Sequence, residues 1–281
     1  MVIDFHTHTF PEKVAAKAIA GMQQKHHAAV FSDGTASGLR RSMDAAGVDV
    51  SVVLPVATNP LKLSSINDVS VAETGNNRLI YFGAMHPLAE NWKEELDRIA
   101  AAGIRGIKLH PFYQGTDVDD LRMLRIYGRA AELGLLVVIH AGDEIAYPGQ
   151  VRCTPRMAAS AIRQVGNGFA PILAHMGGWK NWEQVTEHLV NRECYIDTAI
   201  SLGSIVPMEG ATGDPEELAL LSDEAFVELV RAFGSNRILF GTDSPWSSPK
   251  EELLKIERLP LTEQERTEIL HQNAVRLLKL L

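Results

Sequence analysis

Short apolar runs alternate with longer amphipathic stretches along this chain. The runs at residues 2–8, 49–57, 79–86, 104–110, 135–141, 170–176, 193–200 and 237–243 are rich in Val, Ile and Leu. Most are almost continuously hydrophobic, which is the pattern of parallel strands covered on both faces. Between them a helical period shows at 37–46, 88–102, 118–133, 181–191 and 223–233, and again over 261–281. Four of these stretches stop at a glycine, Gly47, Gly103, Gly134 or Gly234, the residue that most easily closes a helix in the left-handed conformation. Eight strands alternating with helices predict an α/β fold. The expected form is a (β/α)8 TIM barrel, a single domain over 1–281 with a helical tail at its C-terminal end. A doubly wound open sheet is the main rival. No Gly-x-Gly-x-x-Gly follows any of the runs, so its dinucleotide-binding version has no support.

Two connections exceed what a strand-to-helix loop needs. Residues 9–36 follow the first run and include a short helical pattern at 11–25, and residues 201–222 follow the seventh. With 142–156 they are the extended loops expected at the C-terminal face, where they would shape a substrate site.

Composition narrows the function. The chain has 281 residues, 46% of them hydrophobic and 22% charged, enough to bury one large core. The formal net charge of -8 argues against nucleic acid as a partner, because phosphate binding needs clustered Lys and Arg. No apolar stretch approaches the roughly 20 residues that cross a bilayer, so no membrane partner is expected. Cys153 and Cys194 are the two cysteines and form no Cys-x-x-Cys pair. A reducing, cytoplasmic setting is the expectation. A homodimer is the default assembly.

The chemistry gathers at one end of the strands. His6 and His8 close the first run two positions apart, so on a strand they project to the same side and form half of a divalent-metal site. His86 ends the third run, Lys108 and His110 the fourth, His140 the fifth, His175 the sixth and Asp243 the eighth, with Asp197 in the seventh. In a closed barrel these ends share the face that carries catalysis. Imidazoles and a carboxylate meeting there suit a divalent metal such as Zn2+, Mn2+ or Fe2+.

Asp4-Phe5-His6-Thr7-His8, Gly106-Ile107-Lys108-Leu109-His110-Pro111, His140, His175-Met176-Gly177-Gly178 and Gly241-Thr242-Asp243-Ser244-Pro245 together resemble the amidohydrolase superfamily. The nearer resemblance is to amidohydrolase family 2, the branch of the aminocarboxymuconate semialdehyde decarboxylase-like enzymes. It implies His6, His8, His140 and Asp243 as ligands of one divalent metal, Zn2+ rather than a pair of ions. It implies Asp243 and His175 as the catalytic residues, Asp243 taking a proton from bound water and His175 acting on substrate or water. Some superfamily members carry a carboxylated lysine on the fourth strand, for which Lys108 is the candidate, but this branch usually does without it.

For the remaining residues both readings stand. Lys108 and His110 contact substrate, or Lys108 lies lower and neutralises Asp4. Arg152 binds a substrate carboxylate by a bidentate fork, or sits in a solvated helix start. Trp246 and Trp179 line an apolar wall, or pack loops together. Asp197 reaches the site, or caps its strand. His26 and His27 read as surface residues. The leading function is hydrolysis of a small-molecule amide, ester or lactone by metal-activated water. The alternative is non-oxidative decarboxylation, or hydration, of an unsaturated carboxylic acid. Phosphoester hydrolysis and a catalytically silent binding protein rank below both.

Overall fold

The computed structural model describes residues 1–280 apart from 146, 148, 167, 212 and 213. In chain order its strands are β1 (Ile3–Thr7), β2 (Val50–Val53), β3 (Leu79–Tyr81), β4 (Gly83–Ala84), β5 (Gly106–Leu109), β6 (Leu136–Ile139), β7 (Ile172–Leu173), β8 (Tyr195–Asp197) and β9 (Ile238–Leu239). Its α-helices are α1 (Glu12–His26), α2 (Ala36–Ala46), α3 (Leu63–Ala72), α4 (Trp92–Ala101), α5 (Leu121–Glu132), α6 (Pro155–Val165), α7 (Glu183–His188), α8 (Pro215–Leu218), α9 (Asp223–Phe233), α10 (Pro249–Arg258), α11 (Glu263–Thr267) and α12 (Asn273–Leu278). Each predicted run therefore contains a strand, and the third is divided at Phe82 into β3 and β4. The chain forms two compact units, Met1–Val53 with Thr198–Leu281, and Leu54–Asp197.

In the first unit all five residues of β1 are buried. It pairs in parallel with β2 through Ile3–Val50 and Asp4–Ser51, then shifts register before Thr7–Val53. On its other side Phe5 N–H donates to Phe240 O at 2.7 Å and His8 N–H to Ser244 O at 2.7 Å. Phe5, Phe226, Phe233 and Phe240 are fully buried here, each contributing about 1.5–3 kcal/mol by leaving water. The tail is helical as predicted, but one turn, Glu268–Gln272, is a π-helix. The wider turn frees the Ile269 carbonyl to accept the Phe240 N–H at 2.9 Å. Buried Asn273 then donates to the carbonyls of Ser235 and Ile238, both at 2.7 Å. The tail is thus fastened to β9 and the segment before it by one carbonyl the helix does not use itself and by the Asn273 side-chain amide.

In the second unit β4, β5, β6, β7 and β8 form a continuous parallel ladder. Its strands are buried throughout except at Leu136 and Tyr195, in keeping with their unbroken apolar runs. Gly106 is required in β5, because a Cβ there would overlap the Phe82 ring and crowd the Leu136 carbonyl at 2.8 Å. Asn67 of α3 clasps the Ala84 backbone, taking its N–H at 2.8 Å and giving to its carbonyl at 3.2 Å. Four of the described helices lie outside the stretches predicted from periodicity: α3, α6, α8 and α10. Three of them carry a legible start, Thr154-Pro155, Asp214-Pro215 and Ser248-Pro249, in which the side-chain oxygen accepts an N–H of the first turn and proline fills the first helical position.

Candidate metal centre and active site

The first unit builds a compact donor cluster from two strand ends. β1 delivers His6, which is buried, and the residue just beyond it delivers His8. Asp243 follows β9 and sits in the left-handed region at φ 64°. That conformation costs a non-glycine residue energy and marks a constrained turn. It is enforced by two backbone bonds, Asp243 N–H to His6 O and His8 N–H to Ser244 O, both 2.7 Å. Asp243 Oδ1 then lies 3.0 Å from His8 Nε2 and 3.6 Å from His6 Nε2.

These separations fit a shared cation. Two ligand atoms each about 2.0–2.1 Å from one ion at a tetrahedral angle stand about 3.4 Å apart. The observed pair of distances brackets that value. The two imidazole planes are inclined by 73° with centroids 5.2 Å apart, so the planes intersect and one ion can lie close to both.

Behind the cluster lies fully buried Asp4. Its carboxylate accepts the N–H of His6 at 3.2 Å, the N–H of Thr242 at 3.0 Å and the Thr242 hydroxyl at 2.6 Å. The same hydroxyl accepts the Ser244 N–H at 3.1 Å. One carboxylate and one hydroxyl therefore fix the backbone on both sides of Asp243 and beneath His6, the kind of support that orients metal ligands.

The second unit gathers another group. His110 stacks between Tyr113 and His140, with centroids 4.0 Å away on each side. Buried Glu144 accepts from the Tyr113 hydroxyl at 2.9 Å, and its other oxygen lies 3.6 Å from His110 Nε2 and 3.8 Å from His140 Nε2. His110, His140 and Glu144 are close enough to be considered as metal ligands, but the two imidazoles are inclined by only 11°. A metal must lie near the plane of each ring it binds, and nearly parallel stacked planes do not meet at bonding distance. The two imidazoles of this trio are therefore stacked on each other rather than arranged to share one ion.

His140 itself keeps a donor for a metal. Its Nε2 lies 3.1 Å from the Asp143 carbonyl, which requires a proton there and leaves the lone pair on Nδ1. Nδ1 faces His175 Nε2 at 3.1 Å. His175 is also left-handed, at φ 59°, and its N–H is held by Asp197 Oδ1 at 2.9 Å. Asp197 thus acts on His175 through the backbone. Gln114 staples three strand ends, giving to the carbonyls of Ala57 and Met85 at 3.0 and 2.6 Å and accepting the His110 N–H at 3.2 Å. Gly142 (φ 94°) lets the turn after β6 bridge Trp179, whose backbone N and O a Cβ would overlap.

The remaining predicted residues fall as follows. Lys108 is buried within β5. Arg152 is half-exposed and pairs with Asp117 at 2.9 Å. Trp246 follows the Asp243 turn, its N–H given to Asp243 O at 2.9 Å. Trp179 is mostly buried. His86 is buried, with Nδ1 accepting the Leu88 N–H at 3.1 Å, and burial pulls it below the usual imidazole value. His26 departs from the expectation of a surface residue. It packs edge-on against Trp246, centroids 5.6 Å apart at 69°, and burial lowers its pKa against the pull of Asp243. Sequence reasoning missed Glu144, Tyr113, Gln114 and Thr242 as partners of the site. Only Thr242, beside Asp243, stood in a motif already singled out.

A family model described as Amidohydrolase matches residues 3–280. Comparison with curated protein sequences gives no match. Among solved structures, a TIM-barrel protein from Bordetella bronchiseptica aligns with 19% identity and a TM-score of 0.72, over 99% of this chain and 98% of that one. 2,6-Dihydroxybenzoate decarboxylase from Rhizobium aligns with 16% identity and a TM-score of 0.69, over 99% and 98%. A dihydroxybenzoic acid decarboxylase from Polaromonas with bound manganese and 2-nitroresorcinol aligns with 15% identity and a TM-score of 0.69, over 99% and 97%. The fold is that of a TIM barrel, as the strand and helix alternation predicts. Among the described residues no helix is long and apolar enough to cross a membrane.

Proposed function

Because the chain belongs to amidohydrolase family 2, we propose that it is a metal-dependent enzyme that decarboxylates an unsaturated or aromatic carboxylic acid without an oxidant. The observation that carries this reading is the His6–His8–Asp243 donor cluster, found in a fold whose solved examples above include two dihydroxybenzoate decarboxylases. Sequence analysis ranks hydrolysis of an amide, ester or lactone first, and the comparisons favour its alternative.

His6, His8 and Asp243 would hold the ion, and the family resemblance adds His140 to that ligand set. When bound, a divalent ion supplies a Lewis acid that stabilises negative charge on a substrate oxygen. In decarboxylation the bond from ring or vinyl carbon to the carboxylate breaks, CO2 leaves, and the electron pair stays on carbon. That carbon then takes one proton. His175 is assigned to hold this proton at Nε2, its imidazole placed by the Asp197 bond to its backbone. Lys108, His110 and Arg152 are the candidate contacts to the substrate carboxylate, and Arg152 would exchange Asp117 for it. Trp246 offers an apolar wall. Zn2+ as the native ion, a homodimer and a cytoplasmic location belong to the same reading.

The test loads metal-free protein with Mn2+ or Zn2+ and offers dihydroxybenzoates beside a panel of amides and lactones. Release of CO2 from a benzoate, abolished together with stoichiometric metal in His6→Ala/His8→Ala, is the expected result. Hydrolysis of an amide or lactone without any CO2 release would overturn the proposal in favour of the hydrolase. A parallel measurement of metal stoichiometry in His140→Ala tests that ligand by itself.

A further inference from the structure

The segment that presents His175 runs left-handed for three residues in succession, with φ 59° at His175, 52° at Met176 and 84° at Gly177. In that region the Cβ of histidine or methionine crowds the following carbonyl, so the turn persists only where its surroundings over-determine it. The peptide group before His175 is held by its N–H, which donates to Asp197 Oδ1 at 2.9 Å. The peptide group after His175 is held by its carbonyl, which accepts the indole N–H of Trp182 at 2.9 Å and the Gly178 N–H at 3.3 Å. Peptide groups are planar, so fixing the two that flank a Cα fixes its φ and ψ. Trp182 is itself anchored. It opens α7, its carbonyl accepting the Val185 N–H at 3.1 Å, and the turn leading to it is closed by Asn181 N–H to Gly178 O at 2.8 Å. Gly178 packs against α6, where a Cβ would stand 2.8 Å from Pro155 Cγ. The same turn also reaches the other ring of the pair. Asn181 Nδ2 donates to Asp143 Oδ1 at 2.7 Å, and the Asp143 carbonyl lies 3.1 Å from His140 Nε2.

We propose that Trp182 is a positioning residue for the reaction: its indole N–H locks the left-handed turn at His175 and so aims His175 Nε2 at His140 Nδ1. Asp197 alone fixes only the peptide group before His175. Without the Trp182 bond the group after it is free to rotate, and His175 relaxes toward the ordinary backbone regions. The Cα–Cβ bond then turns and carries the imidazole with it, because the directions open to a side chain follow from φ and ψ. The ring has a narrow target. It meets His140 edge-on, with centroids 4.8 Å apart at 67° and the two nitrogens at 3.1 Å, and a hydrogen bond weakens steeply once it bends. A displacement of about 1 Å at a reacting group costs about 100-fold in rate. The inference rests on the reading above of His175 as the group that holds the proton. Trp182 acts through the His175 backbone rather than on the substrate.

The test reads the ring pair directly by magnetic resonance, so that it does not depend on turnover. In the full chain freed of metal and carrying nitrogen-labelled histidine, a scalar coupling should cross the hydrogen bond between His175 and His140. Replacing Trp182 by 3-benzothienylalanine keeps the shape of the indole and puts sulfur where the N–H was. Trp182→Phe removes the same N–H with less bulk. Each should lose the coupling, while circular dichroism shows the fold and manganese stoichiometry shows the site intact. Trp92→Phe, whose ring lies under Arg125 in the same unit, should keep it. In manganese-loaded protein, kcat for CO2 release from 2,6-dihydroxybenzoate should fall about 10–100-fold in the Trp182 variants, with KM changed by less than about twofold. No coupling in the intact protein, full coupling in a folded Trp182 variant, or a change in KM alone would each overturn the proposal. Unfolding of both variants would overturn it as well, by assigning Trp182 to the core. An intact protein that releases no CO2 from any benzoate removes the decarboxylase reading and leaves the ring coupling to decide the role of Trp182.

Discussion

Thr242→Val isolates the support beneath the donor cluster. Valine keeps the shape of threonine at a fully buried position, so the substitution deletes hydrogen bonds rather than volume. Two bonds go. The hydroxyl no longer donates to Asp4 Oδ2, now at 2.6 Å, and no longer accepts the Ser244 N–H, now at 3.1 Å. A hydrogen bond to a charged acceptor contributes about 1.5–3 kcal/mol, and a buried N–H left without a partner costs about 1–3 kcal/mol. Asp4 keeps the N–H groups of Thr242 and His6 on Oδ1, which limits the damage to its charge. A loss of about 3 kcal/mol is expected, or a fall in Tm of about 6–12 °C for a chain of this size. The same substitution at half-buried Thr267, whose hydroxyl stays within its own helix and reaches only the Glu263 carbonyl at 2.7 Å and carboxylate at 3.5 Å, should stay within about 0.5 kcal/mol. Urea denaturation of both variants gives the comparison. Because Asp4 and Thr242 also fix the backbone of His6 and Asp243, Mn2+ affinity should fall by about 10–100-fold. A stability loss below about 1 kcal/mol would refute the hydrogen-bond reasoning. A full stability loss with unchanged Mn2+ affinity would refute the link between this support and the donor cluster.

Three further outcomes follow from burial. His86 is held below its ordinary pKa chiefly by desolvation, so the unfolded chain binds its proton more readily. Its contribution to stability is complete above about pH 6.5 and is lost as the pH falls below that value. His86→Gln should therefore flatten the acid limb of the urea midpoint between pH 7.5 and 5.5, and a steeper limb would contradict the assignment. Cys153 and Cys194 are buried, and burial pushes the Cys153 thiol well above its usual range. A thiol reagent should find neither in the native protein and both in denaturant, and rapid native labelling would show the packing to be wrong. Gly142→Ala sets a Cβ onto the Trp179 backbone at a left-handed position, so it should lower stability by more than about 3 kcal/mol, whereas Gly47→Ala, left-handed but with open space around it, should cost only about 1 kcal/mol by the same melting assay.

What could be read in advance, and what could not, divides along physical lines. Buried parallel strands announce themselves because both faces must be apolar, so each of the eight runs contains a strand, and the polar residues that interrupt their ends stand out. His6, His8, His140, His175 and Asp243 were legible for that reason. Helices were legible only where one face stayed wet. α3, with Ser, Asn and Val on mixed faces, gave no period, and α6 and α10 would have been found from their Thr-Pro and Ser-Pro starts. The partners of the site were hidden for a different reason. Gln114 lies five residues past the end of β5, and nothing local says that its amide will reach Ala57 and Met85. Glu144 similarly meets Tyr113 across 31 residues of sequence. The stacked pair His110 and His140 shows the converse error that composition invites. Two imidazoles and a carboxylate within reach of one another look like a chelate in a residue count, yet their parallel planes forbid it, while the inclined rings of His6 and His8 permit it. The candidate donors could be read in the sequence, and their mutual geometry could not. His26 makes the same point from the opposite side. Read along α1 alone it is a helix-end residue, and only the backbone attachments of residues 27–31 set it against Trp246.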